Sequence, residues 1–162
     1  MITFLKNLFN KKPVTPIEKK ASLLDFQANW LKLEKKGCSN YQSLNENERV
    51  WFNIQSFMSA FDDGGLISYY YTAGADHMVE TTTDLKKLGL NAVVEELEKI
   101  NQLFPDMEIL KDFDKRNEII DSWDHENDDD LNVTLNQAEK NIADMSDLME
   151  EKLIEYILEN KL

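Results

Sequence analysis

The sequence predicts an all-α protein: a single-domain bundle of about six to seven helices, with αα-hairpins and a long C-terminal helix. Apolar residues recur at helical spacing in successive segments, and no stretch of useful length alternates with period two as a half-buried strand would. Capping residues, glycines or prolines bound most of these segments. A chain of 162 residues with 42% hydrophobic content suits one domain with a real core.

The first helix is predicted over residues 16–40. Thr15, Pro16 and Glu18 supply an N-cap hydroxyl, a proline at the first helical position and the acid of a capping box. A broad apolar face follows, and Gly37 is expected to end the helix.

The charge of the chain changes sign near residue 40. Residues 1–40 hold eight lysines and three acids, a net charge of +5, whereas residues 41–162 hold ten Lys and Arg against 28 Asp and Glu, a net charge of −18. We therefore divide the chain into a flexible or docked segment (1–15), a basic helix (16–40) and an acidic all-helical domain (41–162). So acidic a body repels phosphates and anionic lipids, which argues against direct nucleic-acid or membrane binding and favours basic partners.

The start of the chain and its cysteine content predict a cytoplasmic protein. The first apolar residues precede the basic pair Lys11 and Lys12, which is the wrong order for a signal peptide. Cys38 is the one cysteine of the sequence and suits a reducing compartment.

The second helix has the clearest boundaries of the chain. Asn45 and Glu48 form a capping box, an apolar stripe at 3.6-residue spacing follows, and Gly64-Gly65 stops it. The aromatic run 66–71 is predicted to be a short helix.

An αα-hairpin is predicted next. Asp76 is expected to cap its first helix and Gly89 to end it, while Asn91 caps the second helix and Pro105 prevents its continuation.

The C-terminal third is predicted to contain one helix, a solvated acidic loop over 121–130 and a final helix. Leu110, Phe113 and Ile120 share the apolar face of the first of these helices. Thr134 begins another capping box, Thr-x-x-Gln, from which the final helix runs about seven turns to the C-terminus.

Residues suited to catalysis or metal binding are few, so neither an enzyme nor a cofactor is expected. His77 and His125 have no partner at metal-ligand spacing and are interpreted as surface residues. An EF-hand-like calcium loop over 128–139 stays open as an alternative, because its acids and amides fall at the ligand positions; Val133, where a glycine is needed, argues against it.

A ladder of carboxylates follows one stripe of the predicted final helix. Its members are Asp144, Asp147, Glu151, Glu155 and Glu159. Neighbours would stand about 6 Å apart by helix rise, whereas duplex DNA carries one phosphate per about 1.7 Å of axis. One ladder is too sparse to imitate a duplex, so other acids or a second copy would have to contribute. The further candidates are Glu95, Glu96, Glu98, Asp112, Asp114 and Glu118. An ordinary solvated helix face is the alternative interpretation.

The stretch from Leu44 to Pro105 resembles the bacterial DNA-mimic protein family, a helical domain of unknown function. Its most specific residues are Glu48, Arg49, Asp63, Gly64, Gly65, Tyr69 and Tyr70. The family pattern Asn-Gly-Gly-Phe-x-Gln-Tyr-Phe is altered here by Asp63, Leu66 and Ser68. The resemblance covers about residues 42–105, continues weakly to the C-terminus and leaves out residues 1–40.

This resemblance implies an all-helical domain, often dimeric, whose acidic surface occupies the DNA-binding face of a basic protein such as a transcription regulator. Its motif residues are expected to act mainly in folding, because glycines permit close helix approach and tyrosines pack in cores. The leading hypothesis is a non-catalytic acidic protein-binding domain, with a homodimer as an option. An immunity-type protein that neutralises one specific partner is the alternative, and a structural role is another.

Overall fold

The computed structural model describes residues 21–105 and 109–162. These residues form eight α-helices and no strand, which confirms the predicted all-α class and one compact domain. The helices are α1 (Gln27–Ser39), α2 (Glu46–Gly64), α3 (Leu66–Tyr70), α4 (Met78–Lys87), α5 (Asn91–Asn101), α6 (Phe113–Asp121), α7 (Asp129–Ala143) and α8 (Ser146–Asn160). Short 3-10 turns occupy Leu23–Phe26, Tyr41–Ser43 and Ala73–His77.

Helix α2 is the centre of the bundle. Of the predicted stripe, Val50, Ile54 and Phe57 are fully buried, and Met58 and Phe61 are partly buried against the core. Helices α1, α3, α4 and α8 all pack against this helix. The predicted capping box is present, since the Asn45 Oδ1 atom accepts from the Glu48 N–H at 3.0 Å and the Glu48 carboxylate accepts from the Asn45 N–H at 2.9 Å. Sequence spacing alone therefore located the central helix correctly.

The helix predicted over 16–40 is shorter in the structure, and its predicted start at Thr15 to Glu18 lies outside the described residues. Ser22 is extended and caps the turn Leu23–Phe26, so the helical segment begins there. Gly37 does not end the helix, which continues to Ser39. A Cβ at position 37 would collide with the Phe52 ring, so glycine permits a close approach between α1 and α2.

The predicted hairpin is present as α4 and α5, with different caps. Asp76 lies in a 3-10 turn that Thr72 caps, and Asn91 is the first residue of α5 rather than its cap. Gly89 has φ of 78°, a conformation that favours glycine, and follows α4 as predicted.

The long final helix is two helices. Asp128 caps α7 by accepting from the Leu131 N–H at 2.9 Å, so Thr134 lies inside the helix instead of at its start. The chain leaves the helical conformation at Met145 before α8 begins. Because α7 packs against α3 and α5 whereas α8 packs against α2, one straight helix could not serve both contacts.

The apolar core is continuous through this bundle, from Trp30 on α1 to Ile157 on α8. Over residues 21–105 and 109–162, no helix combines the length and the apolar character that crossing a membrane requires.

Candidate functional site

The motif residues of α2 organise the helix start and its contact with α1. Besides capping α2, the Glu48 carboxylate pairs with the Lys36 Nζ at 2.6 Å. The hydrogen bond from Lys36 lowers the pKa of Glu48, with a smaller contribution from the Asn45 backbone. Glu48 therefore joins the basic helix to the acidic domain.

Arg49 belongs to a half-buried polar network between α2 and α4. In this network the Asn53 amide donates to the Tyr41 hydroxyl at 2.9 Å and to the Asp84 carboxylate at 2.8 Å. Burial raises the pKa of Asp84, and the Asn53 hydrogen bond and Arg49 only partly oppose that effect. The Arg49 Nε atom is buried without a hydrogen-bond partner, so Arg49 acts on this network through its charge.

The Gly64-Gly65 pair forms the tight junction between α2 and α3. Gly65 has φ of 79°, and a Cβ there would lie 2.8 Å from the Glu139 Oε2 atom on α7. The same oxygen accepts from the Leu66 N–H at 3.3 Å. Asp63, beside the glycines, is exposed. The absence of a side chain at Gly65 thus allows the Glu139 carboxylate of α7 to approach the backbone of the α2–α3 junction.

The two motif tyrosines are core residues with satisfied hydroxyls. The Tyr69 hydroxyl donates to the Gly74 carbonyl at 3.0 Å and lies 3.1 Å from the Thr81 Oγ1 atom. The Tyr70 hydroxyl donates to the Asn101 Oδ1 atom at 2.9 Å. Burial raises the pKa of both phenols. Their burial assigns them a folding role.

Arg116 was not singled out from the sequence, yet it is the most enclosed charged residue in the described part of the chain, with no exposed surface. Its guanidinium donates to the carbonyls of Tyr70, Thr72 and Leu110 and to the Asp76 carboxylate, all at 2.6–2.8 Å. The sequence did contain a signal for this site, because Arg116 is an arginine in a domain whose cations are mostly lysines. Arginine is favoured over lysine in buried ion pairs.

The histidines occupy different environments. His125 is exposed as predicted, but His77 is half-buried and stacks on the Tyr41 ring at 3.5 Å. Burial lowers the pKa of His77, against the opposing influence of Glu80 and Asp76.

The calcium-loop interpretation of 128–139 is wrong. Residues 129–139 belong to helix α7, so Asp130, Asn132 and Thr134 cannot encircle one ion as loop residues would, and Glu139 contacts the Gly65 junction instead. Within residues 21–105 and 109–162, no three His, Cys, Asp or Glu side chains group closely enough to hold a metal.

Glu96 does not fit the proposed set of surface carboxylates. It is buried, and its carboxylate accepts from the Lys99 Nζ and the Asn141 Nδ2 at 2.8–2.9 Å. Glu96 lies on the face of α5 that also carries Val93, Leu97 and Ile100, so helical spacing already indicated its burial. Its role is to tie α5 to α7.

The other candidate carboxylates reach solvent to different degrees. Glu151 is half-buried, and the exposed members are Glu95, Glu98, Asp112, Asp114, Glu118, Asp144, Asp147, Glu155 and Glu159. Three of the exposed acids have salt-bridge partners: Glu98 pairs with Lys86, Asp112 pairs with Lys115 and caps α6, and Glu155 pairs with Lys152.

A second concentration of acids runs from the last residue of α6 through the connecting turn to the first two residues of α7. We call it the acidic turn, defined as Asp121, Asp124, Glu126, Asp128, Asp129 and Asp130, all of them exposed. Trp123 anchors the turn to the core by an edge contact with Phe104 at 5.4 Å between ring centroids. The Tyr71 hydroxyl donates a hydrogen bond to the Asp121 carboxylate. Partial burial, and secondly the charge of Asp121, raise the pKa of Tyr71 to about 12. Rigid anchoring thus holds a dense row of carboxylates in solvent.

The fold and its surface define a class: a helical domain whose motif glycines and tyrosines serve the packing of helices and whose outer surface is strongly acidic. Residues 42–160 match the family model of the DMP19-like protein, where DMP19 is DNA mimic protein 19. The chain belongs to this family. Neither the curated proteins nor the solved structures contain a significant match to the chain.

Proposed function

We propose that this protein is a non-catalytic acidic binder that occupies the DNA-binding surface of a basic partner protein. Membership of the DMP19-like family supports a DNA-mimic type of protein with a DNA-binding protein as the general kind of partner. A duplex presents phosphates to lysine and arginine, and carboxylates are the protein groups that make the same charge-assisted contacts.

The observation that carries the proposal is the charge excess of residues 121–160. They hold thirteen Asp and Glu and two Lys. The whole acidic turn lies at exposed positions, where it can face a basic surface. Four members of the predicted ladder are also exposed: Asp144 at the end of α7, and Asp147, Glu155 and Glu159 on α8. Such a surface accelerates association with a basic partner and makes the complex sensitive to salt.

The partner is first captured from the native cytosol at low and at high salt and identified by mass spectrometry. We expect a basic DNA-binding protein that salt releases and that duplex DNA displaces. A single salt-resistant partner that is indifferent to DNA would support the immunity-type alternative, because apolar hot spots would then carry the energy.

Binding of the captured partner is then measured with paired charge-neutralising variants. Glu126→Gln with Asp129→Asn removes two charges from the acidic turn, and Asp62→Asn with Asp63→Asn removes two exposed charges at the end of α2 as the matched control. We expect the first pair to weaken binding roughly tenfold at low salt and much less at high salt. If the two pairs of substitutions weaken binding equally, the acidic turn contributes to binding only through the net charge of the protein.

A further inference from the structure

The outer side of α8 combines exposed leucines with exposed acids. Leu148 and Leu158 are 46% and 56% exposed, and helical spacing places both away from the buried side of the helix. The same outer side carries the exposed acids Asp147, Glu155 and Glu159. We call these five residues the outer α8 face. Apolar residues grouped on an exposed helix side indicate an interaction surface.

The charges of α8 favour an occupant that is both basic and apolar. Residues 146–160 hold five acids and one cation, Lys152, whose Nζ atom already pairs with Glu155 at 2.8 Å. A basic surface alone would satisfy the remaining acids but would leave the two leucines in water. The fitting occupant therefore carries lysine or arginine beside apolar side chains.

The chain contains such a sequence. Residues 1–12, which we call the N-terminal segment, hold six apolar residues, three lysines and no acid. Its lysines are Lys6, which directly follows Leu5, and the pair Lys11 and Lys12. The N-terminal segment lies outside the described residues and outside the family match, which begins at residue 42.

The described part of the chain begins close to the outer α8 face. The Leu23 N–H donates to the Glu150 Oε1 atom at 3.3 Å, so the chain passes α8 at this point. From Lys12 to Leu23 the chain advances eleven residues, which span up to about 36–40 Å when extended. Helix α8 has 15 residues and is about 22 Å long. The N-terminal segment can therefore reach any part of the outer α8 face of its own chain.

The covalent connection makes even a weak contact sufficient. Exposed ion pairs contribute little each, and two leucines bury a modest area. A short tether gives an effective concentration on the order of 1 mM, so a contact with a dissociation constant of about 0.1 mM is mostly occupied.

We propose that the N-terminal segment binds the outer α8 face of the same chain. Its apolar side chains cover Leu148 and Leu158, and its lysines face the acids beside them. The bound segment covers the α8 part of the acidic surface and leaves the acidic turn open. A basic partner that uses α8 must first displace the segment. The proposal goes beyond the proposed function, and its tests need no natural partner.

The first experiment locates the N-terminal segment by paramagnetic relaxation in NMR spectra of the full chain. A nitroxide label is attached to Asn10→Cys in a Cys38→Ser background. We expect the amide signals of residues 147–159 to broaden, and those around Val79 on α4 and Val133 on α7 to stay sharp. The loss of broadening at high salt should be partial, because salt screens only the charged contacts.

Matched variants test the leucines of the outer α8 face. Leu148→Gln with Leu158→Gln should abolish the broadening on α8. The control pair Val79→Gln with Val133→Gln changes two residues that are 71% and 66% exposed, and should leave the broadening unchanged. No broadening on α8 in the otherwise wild-type chain, or an equal effect of both pairs, would overturn the proposal.

A mixed sample identifies the chain that supplies the segment. When the nitroxide and the isotope label are on different chains, we expect little broadening on α8. Broadening as strong as in the singly prepared sample would place the segment on a second copy and overturn the same-chain proposal.

The second experiment measures displacement with a fluorescein-labelled decalysine peptide. Lys11→Gln with Lys12→Gln weakens the N-terminal segment, and Lys111→Gln with Lys140→Gln removes two exposed lysines elsewhere, so both pairs change the net charge equally. We expect the first pair to bind decalysine roughly threefold more tightly than the second at low salt. Equal affinities would show that the segment does not compete for the acidic surface and would overturn the proposal.

Discussion

Gly65 combines a positive φ with a close side-chain neighbour, so a single added methyl group should have a large local effect there. Its φ of 79° disfavours any side chain, and an added Cβ would meet the Glu139 carboxylate that accepts from the Leu66 N–H. We expect Gly65→Ala to lower the free energy of unfolding by about 1–3 kcal/mol, measured by urea denaturation.

Gly89 provides the matched comparison for this substitution. It has nearly the same φ, 78°, but an added Cβ would meet no atom within 4 Å. Gly89→Ala therefore tests the backbone cost in isolation and should cost about 1 kcal/mol. If the two substitutions cost the same, the Glu139 contact contributes nothing.

Asp84 should make the stability of the protein depend on pH in an unusual direction. Burial raises the pKa of its carboxyl above the ordinary value near 3.8, so the folded protein holds the proton more tightly than the unfolded chain does. Stability from this group is present at low pH and is lost as pH rises through the folded-state pKa.

Asp84→Asn removes this titration and keeps an oxygen to accept from Asn53. We expect the unfolding free energy of the variant, relative to wild type, to increase as pH rises from about 4 towards neutrality. Urea denaturation at a series of pH values measures this difference. A difference that does not change with pH would show that Asp84 does not titrate differently on folding.

At the scale of elements, Arg116 joins two segments that are far apart in sequence. It ties the carbonyls of Tyr70 and Thr72 to the chain at Leu110 and to the Asp76 carboxylate. Arg116→Met would remove one donor from each of these four acceptors, of which the Thr72 carbonyl keeps the Ala75 N–H at 3.2 Å. We expect a loss of about 3–5 kcal/mol in the free energy of unfolding, measured by thermal or urea denaturation.

The conservative variant Arg116→Lys separates charge from geometry. An ammonium group retains the positive charge but cannot donate in the planar fork that reaches four acceptors. We expect the loss in the free energy of unfolding to be smaller for Arg116→Lys than for Arg116→Met, but still measurable against wild type. A variant as stable as wild type would mean that the charge opposite Asp76 matters and the carbonyl contacts do not.

The boundaries of elements were predictable where a capping signal directly preceded a strong apolar stripe. The Asn45 capping box located the start of α2 because the stripe that begins at Val50 follows within the first turns of the helix. The capping box at Thr134 predicted the wrong helix start, because Asp128, six residues earlier, caps the same helix. The break between α7 and α8 was not predictable, since neither glycine nor proline marks it and only the packing of each helix requires it.

At the scale of the whole molecule, the net charge of −13 should oppose folding through self-repulsion. Added salt screens that repulsion, so we expect the urea midpoint to rise between roughly 10 mM and 300 mM sodium chloride. A falling midpoint would show instead that local pairs such as Lys36 with Glu48 outweigh the repulsion between like charges.

The candidate surface was predictable as a chemical type and only partly as a set of residues. Charge counting identified an acidic domain, and helical spacing placed the ladder on the final helical segment. It could not show that Glu151 is half-buried, because burial depends on the packing of distant segments. The Asp112 cap, by contrast, is a local contact with the Lys115 N–H that the sequence pattern could have indicated.

The placement of the three tryptophans gives the molecule two separate optical reporters. Trp30 and Trp51 lie buried with ring centroids 6.2 Å apart where α1 meets α2, so their indoles share excitation and emit from an apolar environment. Trp123 is half-buried at the base of the acidic turn, where water and carboxylates shift its emission to longer wavelength. Undocking of α1 should therefore change the short-wavelength fluorescence, and occupation of the acidic turn the long-wavelength fluorescence.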